Sequence, residues 1–172
     1  MPDHIRRAGL AGITAGALYC LLGVILLFEP RSGGWFYLVY SLFAGAALLT
    51  LATLRGLHSS HHGRDRRLGR VGFSISSVGL CFLAITSVLR VATGREVLDP
   101  VFAFGFLLAG LGYVLFGVAA FKARVLPRWS AFLPLSGVVG AVLLQDKHGA
   151  GISMGVVWAL LGYVLISLDA QV

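Results

Sequence analysis

Residues 8–28, Ala8 to Phe28, read AGLAGITAGALYCLLGVILLF and contain no charged side chain. A hydrocarbon core about 30 Å thick is crossed by roughly 20 apolar residues at about 1.5 Å per residue. This stretch has that length. Arg6 and Arg7 ahead of it resemble the start of a secretion signal, but the run is longer than a signal core and no small-x-small site closes it. Tyr19 stands where a lipoprotein signal ending at Cys20 requires a small residue. The expectation is a retained first span.

Five more stretches follow the same rule: Trp35–Leu54, Val71–Leu89, Val101–Phe121, Trp129–Leu144 and Ile152–Leu168. Pro134 interrupts the fifth and predicts a kink there. Composition agrees, with 58% hydrophobic and only 12% charged residues, where a soluble domain carries about a quarter charged. Lipid can cover that much apolar surface, whereas a single soluble core cannot. The 23 glycines suit helices that pack backbone to backbone in a membrane. The expected fold is an all-α, integral membrane six-helix bundle forming one transmembrane domain over residues 1–172.

Loop charges set the expected orientation. On one side lie Arg6, Arg7, Arg55, Arg64, Arg66, Arg67, Arg70, Lys122, Arg124 and Arg128; on the other lie Arg31, Arg90, Arg95 and Lys147. The positive-inside rule then places both termini in the cytoplasm of a multi-pass cell-membrane protein. Glu29, Glu96, Asp99 and Asp146 offset the four outer bases, so the net charge of +7 resides on the inner face. The basic residues sit in short loops rather than on a folded face with interleaved aromatics, so a nucleic-acid partner is not expected. The bilayer is the expected partner, with anionic headgroups meeting the Arg55–Arg70 loop at about 1 kcal/mol per base.

The chain repeats itself weakly. Arg7-x-Gly9-x-x-Gly12-x-Thr14 recurs as Arg67-x-Gly69-x-x-Gly72-x-Ser74, and Gly105-x3-Ala109-x3-Tyr113 recurs as Gly155-x3-Ala159-x3-Tyr163. Glu29-Pro30 and Asp99-Pro100 occupy equivalent outer turns. These matches suggest three helical hairpins related by internal repetition. The third lacks the acid-Pro pair and is the most diverged.

Small residues at four-residue spacing form the clearest functional pattern. Gly12, Gly16 and Cys20 share one face, as do Gly72 with Ser76, Gly105 with Ala109, Ser136 with Gly140, and Gly155 with Ala159. Such faces let helix backbones approach where lipid supplies no hydrophobic drive. Gly12, Gly16, Gly72, Gly105, Ala109, Gly155 and Ala159 are therefore the packing candidates, either within the bundle or against another membrane subunit. Each acid-Pro pair fits a helix start, with the acid as cap and Pro at the first helical position; an outer cation or substrate site with Glu96 and Asp146 is the alternative. Arg31, Arg90 and Arg95 are near enough in sequence to neutralise these acids.

His58, His61 and His62 have spacing compatible with metal binding, but without Cys or a carboxylate frame the signal is weak and a solvated loop is much the stronger reading. Cys20 and Cys81 lie in apolar segments and read as small hydrophobes rather than a disulfide. Trp35, Tyr37 and Trp129 near span ends read as interfacial anchors. No Asp, Glu, Lys, Arg or His sits near the middle of a span, which disfavours ion-coupled pumping. Gly72-Phe-Ser74-Ile has no intramembrane histidine to activate the serine. No paired aspartates or zinc-protease motif occur in the spans. Catalytic residues, cofactors and metals are accordingly not expected.

The segment from Val97 to Trp129 carries a glycine-rich helix that closes on Val125-Leu126-Pro127-Arg128-Trp129. It resembles a segment of uncharacterised prokaryotic six-span membrane proteins. The helix–Pro–helix pattern, clearest in Gly9–Pro30, is similar to acid-resistance membrane proteins of the HdeD type. Both resemblances imply a helical membrane bundle and supply no active residues. The leading expectation is a non-enzymatic membrane protein, either free-standing or an accessory subunit of a larger membrane complex. The alternative is a binding or transport protein for a small neutral or apolar solute, and a membrane enzyme ranks third.

Overall fold

The structure, a computed structural model, describes residues 2–28, 33–59, 66–94, 99–123, 127, 132–134, 136, 137, 139 and 150–169. They form five long helices: α1 (Pro2–Leu27), α2 (Gly33–Ser59), α3 (Arg66–Thr93), α4 (Asp99–Ala123) and α5 (Ala150–Asp169). All five are long and apolar enough to cross a bilayer, and the shortest, at 20 residues, spans about 30 Å. By length and composition the chain is a multi-pass, all-helical membrane protein. Of the expected span Trp129–Leu144, Phe132–Pro134, Ser136, Gly137 and Val139 have helical backbone. Its remaining residues lie outside the described ones.

Each helix overruns its expected apolar core, because the apolar stretch marks only the part lipid solvates. Polar turns extend α2 to Ser59 and α3 to Thr93. Gly94, at φ 63°, ends α3 by donating its N–H to the Arg90 carbonyl at 2.8 Å, a left-handed glycine cap. Asp99 and Pro100 open α4. The acid complements the positive end of the helix dipole and the ring fixes φ for the first turn. Hydroxyls within the spans bond back to their own helices: Thr14 to Leu10, Ser77 to Phe73, and Ser87 to Leu83. This satisfies polar groups that lipid would leave bare.

The packing order is α5–α1–α2–α3–α4, with neighbours antiparallel. Ala8 of α1 meets Gly56 of α2, and His58 of α2 stacks on Phe73 of α3 with centroids 4.7 Å apart. The row closes on itself where Tyr113 of α4 meets Trp158 of α5 edge to face at 5.3 Å. One end of the bundle therefore carries exposed Arg6, Arg7, Arg55, Arg67, Arg70 and Lys122. Arg90 and Asp99 belong to the other.

Two seams are tight. At α1·α5, a Cβ on Gly16 would lie 2.5 Å from the Gly155 carbonyl oxygen, and one on Gly162 would lie 2.6 Å from the Ile13 nitrogen. At α3·α4, a Cβ on Gly72 would come within 2.6 Å of the Phe116 nitrogen. Only glycine permits such backbone contact. The repeated motifs meet here, with Gly12 against Gly162 and Gly72 against Gly112.

Candidate functional site

The tight packing does not run the length of α2. On α2, the residues from Gly34 to Phe43 are exposed or half-buried, whereas Ala44, Ala46, Ala47, Thr50, Thr53, Leu54 and Leu57 are buried. Around that loosely packed first part of α2 lies a cavity of about 550 Å³. All five helices line it. Six aromatic side chains supply much of its wall: Tyr19 from α1, Tyr40 and Phe43 from α2, and Phe102, Phe106 and Tyr113 from α4. Leu80 and Leu83 of α3 and Met154 of α5 complete the apolar lining. The rings brace one another, Tyr19 edge-on to Phe43 at 5.9 Å and Phe43 tilted on Phe102 at 5.1 Å.

Behind two of these rings sits a buried charge. The Arg90 side chain is 4% exposed, with its guanidinium carbon 4.7 Å from the centroids of both Tyr40 and Phe102. It donates to the Tyr40 hydroxyl through Nη1 and to the Asp99 carboxylate through Nη2. Its buried Nε has no partner among the described residues. The ion pair is asymmetric, because the Asp99 side chain is 69% exposed while its partner is enclosed. Position explains the pairing: Arg90 lies in the last turn of α3 and Asp99 in the first turn of α4, where each charge complements its helix dipole.

Below the cavity, Tyr113 leans on Trp158, which is fully buried and whose Nε1 has no partner among the described residues. Trp158, Phe116 and Leu161 close off the basic half.

The packing candidates fall on the two seams. Gly12, Gly16, Gly155 and Ala159 lie at α1·α5, and Gly72, Gly105 and Ala109 lie at α3·α4. Both thiols are free; Cys20 sits against Gly155, and Cys81 is exposed on the surface of α3. His58 is half-buried on Phe73. His61, His62, Glu29, Arg31, Arg95, Glu96, Trp129, Asp146 and Lys147 lie outside the described residues. Trp35 and Tyr37 are exposed near the Arg90 end.

The sequence reading did not single out Tyr40, Phe102 or the cavity, and it treated Arg90 as a loop charge just past Leu89. Its helical register carried a signal. Ser87 and Arg90 are three residues apart, and Thr86 and Arg90 four, so a polar face continues past the apolar core.

Compared with known proteins, the chain matches no family model, no curated protein and no solved structure.

Proposed function

We propose that this protein is a six-span cell-membrane protein that binds a small, largely apolar solute in the cavity around the first part of α2. The observation that carries the reading is the cavity itself. Its volume of about 550 Å³ falls in the roughly 300–1,000 Å³ range of small-molecule sites, which are typically apolar and aromatic with a few polar groups. Tyr19, Tyr40 and Tyr113 offer those groups. Nothing in the cavity wall suits covalent chemistry: among the described lining residues there is no thiol, carboxylate, imidazole or amine. Binding or passage is therefore favoured over turnover.

The accessory-subunit reading drew on the small-residue stripes as docking faces. The stripes on α1, α3, α4 and α5 pack against one another within the chain, which supports internal packing as their use; the Ser136–Gly140 stripe lies partly outside the described residues. The sixth crossing is supported by direction: α4 ends at the basic end and α5 begins at the other, so the intervening chain has to return across the bundle. Phe132 packs on Phe121 at 5.2 Å near the basic end, and Gly137 lies beside Met154 and Val157 farther along. The cytoplasmic placement of the basic end follows the positive-inside rule, and that end is suited to meet anionic headgroups.

The test is melting of the purified full chain in a neutral maltoside detergent against decanol, retinol and menadione. At least one should raise the melting temperature, and Ala103→Trp, which builds bulk into the cavity wall, should abolish the shift. No shift with any of the three, or a shift indifferent to Ala103→Trp, removes the reading.

A further inference from the structure

We infer that Arg90 sets the charge selectivity of the cavity, so that its preferred ligands are amphiphiles with an anionic or hydrogen-bond-accepting head, such as carboxylic acids, and cationic amphiphiles are excluded. The inference rests on the binding reading above and names the class of ligand. Two observations carry it. The guanidinium lies one aromatic ring away from the cavity, at 4.7 Å from the centres of Tyr40 and Phe102, both wall residues. Its compensating carboxylate is on the solvent side, with Asp99 69% exposed and Arg90 4% exposed. The pair is therefore a dipole whose positive end faces the low-dielectric interior, where charge is screened least.

The rings alone would suggest the opposite ligand. An aromatic-lined pocket attracts ammonium groups through the faces of its rings. Here the same cation–π attraction is already satisfied from within the protein, by Arg90 on Tyr40 and Phe102. A second cation at these rings would face the guanidinium across them. Unit charges about 8 Å apart at an effective dielectric near 20 repel by an amount worth more than tenfold in affinity, and the screened Asp99 offsets only part of it.

The experiment compares three ten-carbon probes that differ only in the head: decanoate, decanol and decylamine. Affinities for the full chain are measured by native mass spectrometry from neutral maltoside micelles at pH 8, where the acid and the amine are both charged. Decanoate should bind about tenfold more tightly than decylamine, with decanol between them. Arg90→Gln should bring the three affinities together, and Asp99→Asn, which strips the offsetting charge, should widen the gap. Equal binding of decanoate and decylamine overturns the inference, as does a preference unchanged in both variants. If decanol binding is lost in Ala103→Trp but head preference ignores Arg90 and Asp99, the cavity reading stands and the charge inference alone fails. If no probe binds in a manner sensitive to Ala103→Trp, both fail. Should Arg90→Gln not fold, the exposed Asp99→Asn decides the matter by itself.

Discussion

The half of the bundle that ends in Arg55 and Lys122 and the half that ends in Arg90 are built from the same five helices, yet they pack by different means. In the basic half, small residues bring helix backbones together and buried side chains such as Leu54, Leu57, Phe116 and Leu161 leave no space. In the other half the two seams stay tight, a Cβ on Gly23 falling 2.4 Å from the Ile152 nitrogen, but α2 stands off from them and large rings surround a cavity. The change is clearest within α2, at Phe43–Ala44. In lipid this difference has a particular meaning. Apolar side chains gain nothing by leaving lipid for a protein interior, so helices associate through close packing and satisfied polar contacts. The glycine seams supply that association, and the cavity between them depends on it.

The comparison breaks most visibly at the seams. Gly112→Leu places a side chain against the Ser76 backbone, whose Cα would lie 2.7 Å from the new Cβ. Neither backbone can retreat without opening α3·α4. The expected outcome is loss of the monodisperse full chain on size exclusion in mild detergent. A folded Gly112→Leu protein with unchanged melting would show that the seam does not hold the bundle together.

Matched ring deletions sharpen the contrast. Phe116 is fully buried in the basic half, so Phe116→Ala removes packed contacts and leaves a hole, costing about 3–5 kcal/mol. Phe106 already borders empty space. Phe106→Ala enlarges an existing cavity and should cost about 1 kcal/mol, because few contacts are lost on that side. Reversible unfolding in mixed micelles separates the two, and equal costs would mean that the cavity is packed in solution. Smaller still is Asp99→Asn. Its carboxylate is largely exposed and solvent screens the pair, so the expected loss is at most about 1 kcal/mol. A larger drop in melting temperature would give the ion pair a structural weight that its exposure does not suggest.

How much of this was legible in the sequence depends on what each feature is made of. The spans were legible because lipid imposes length and hydropathy on every crossing, and the five described helices contain the stretches that hydropathy marked, except for Phe28 just past the end of α1. The faces that pack were legible as spacing: Gly12 and Gly16 on α1, and Gly155 and Ala159 on α5, share one seam. Which helix meets which was not, because Gly105-x3-Ala109 and Gly155-x3-Ala159 are nearly the same words, and α4 uses one against α3 while α5 uses the other against α1. Arg90 was legible as a charge but not as a buried one. The apolar run stops at Leu89, but the helix continues to its cap at Gly94, so Arg90 stands in the last helical turn rather than in a loop. The cavity had no signature at all, since it is space left between rings from three helices.

The smallest expected effect sharpens the rule that links glycine to packing. Gly45 of α2 lies on the boundary between the two halves, and a Cβ there would meet only Leu18 Cδ1, at 3.6 Å, an ordinary contact. Gly155 of α5 would instead drive its Cβ to 2.6 Å from the Cys20 nitrogen. Both are helical glycines in apolar segments, and both gain helix propensity on becoming alanine, by up to about 1 kcal/mol. At Gly45 nothing opposes that gain, so Gly45→Ala should leave melting unchanged or raise it slightly. At Gly155 the backbone clash outweighs it, so Gly155→Ala should lower melting. Opposite signs in one differential-scanning experiment would separate glycine as a spacer between backbones from glycine as a weak helix residue. If Gly45→Ala destabilises as much as Gly155→Ala, backbone proximity is not what distinguishes the two positions, and the contrast between the tight seams and the loosely packed α2 loses its physical basis.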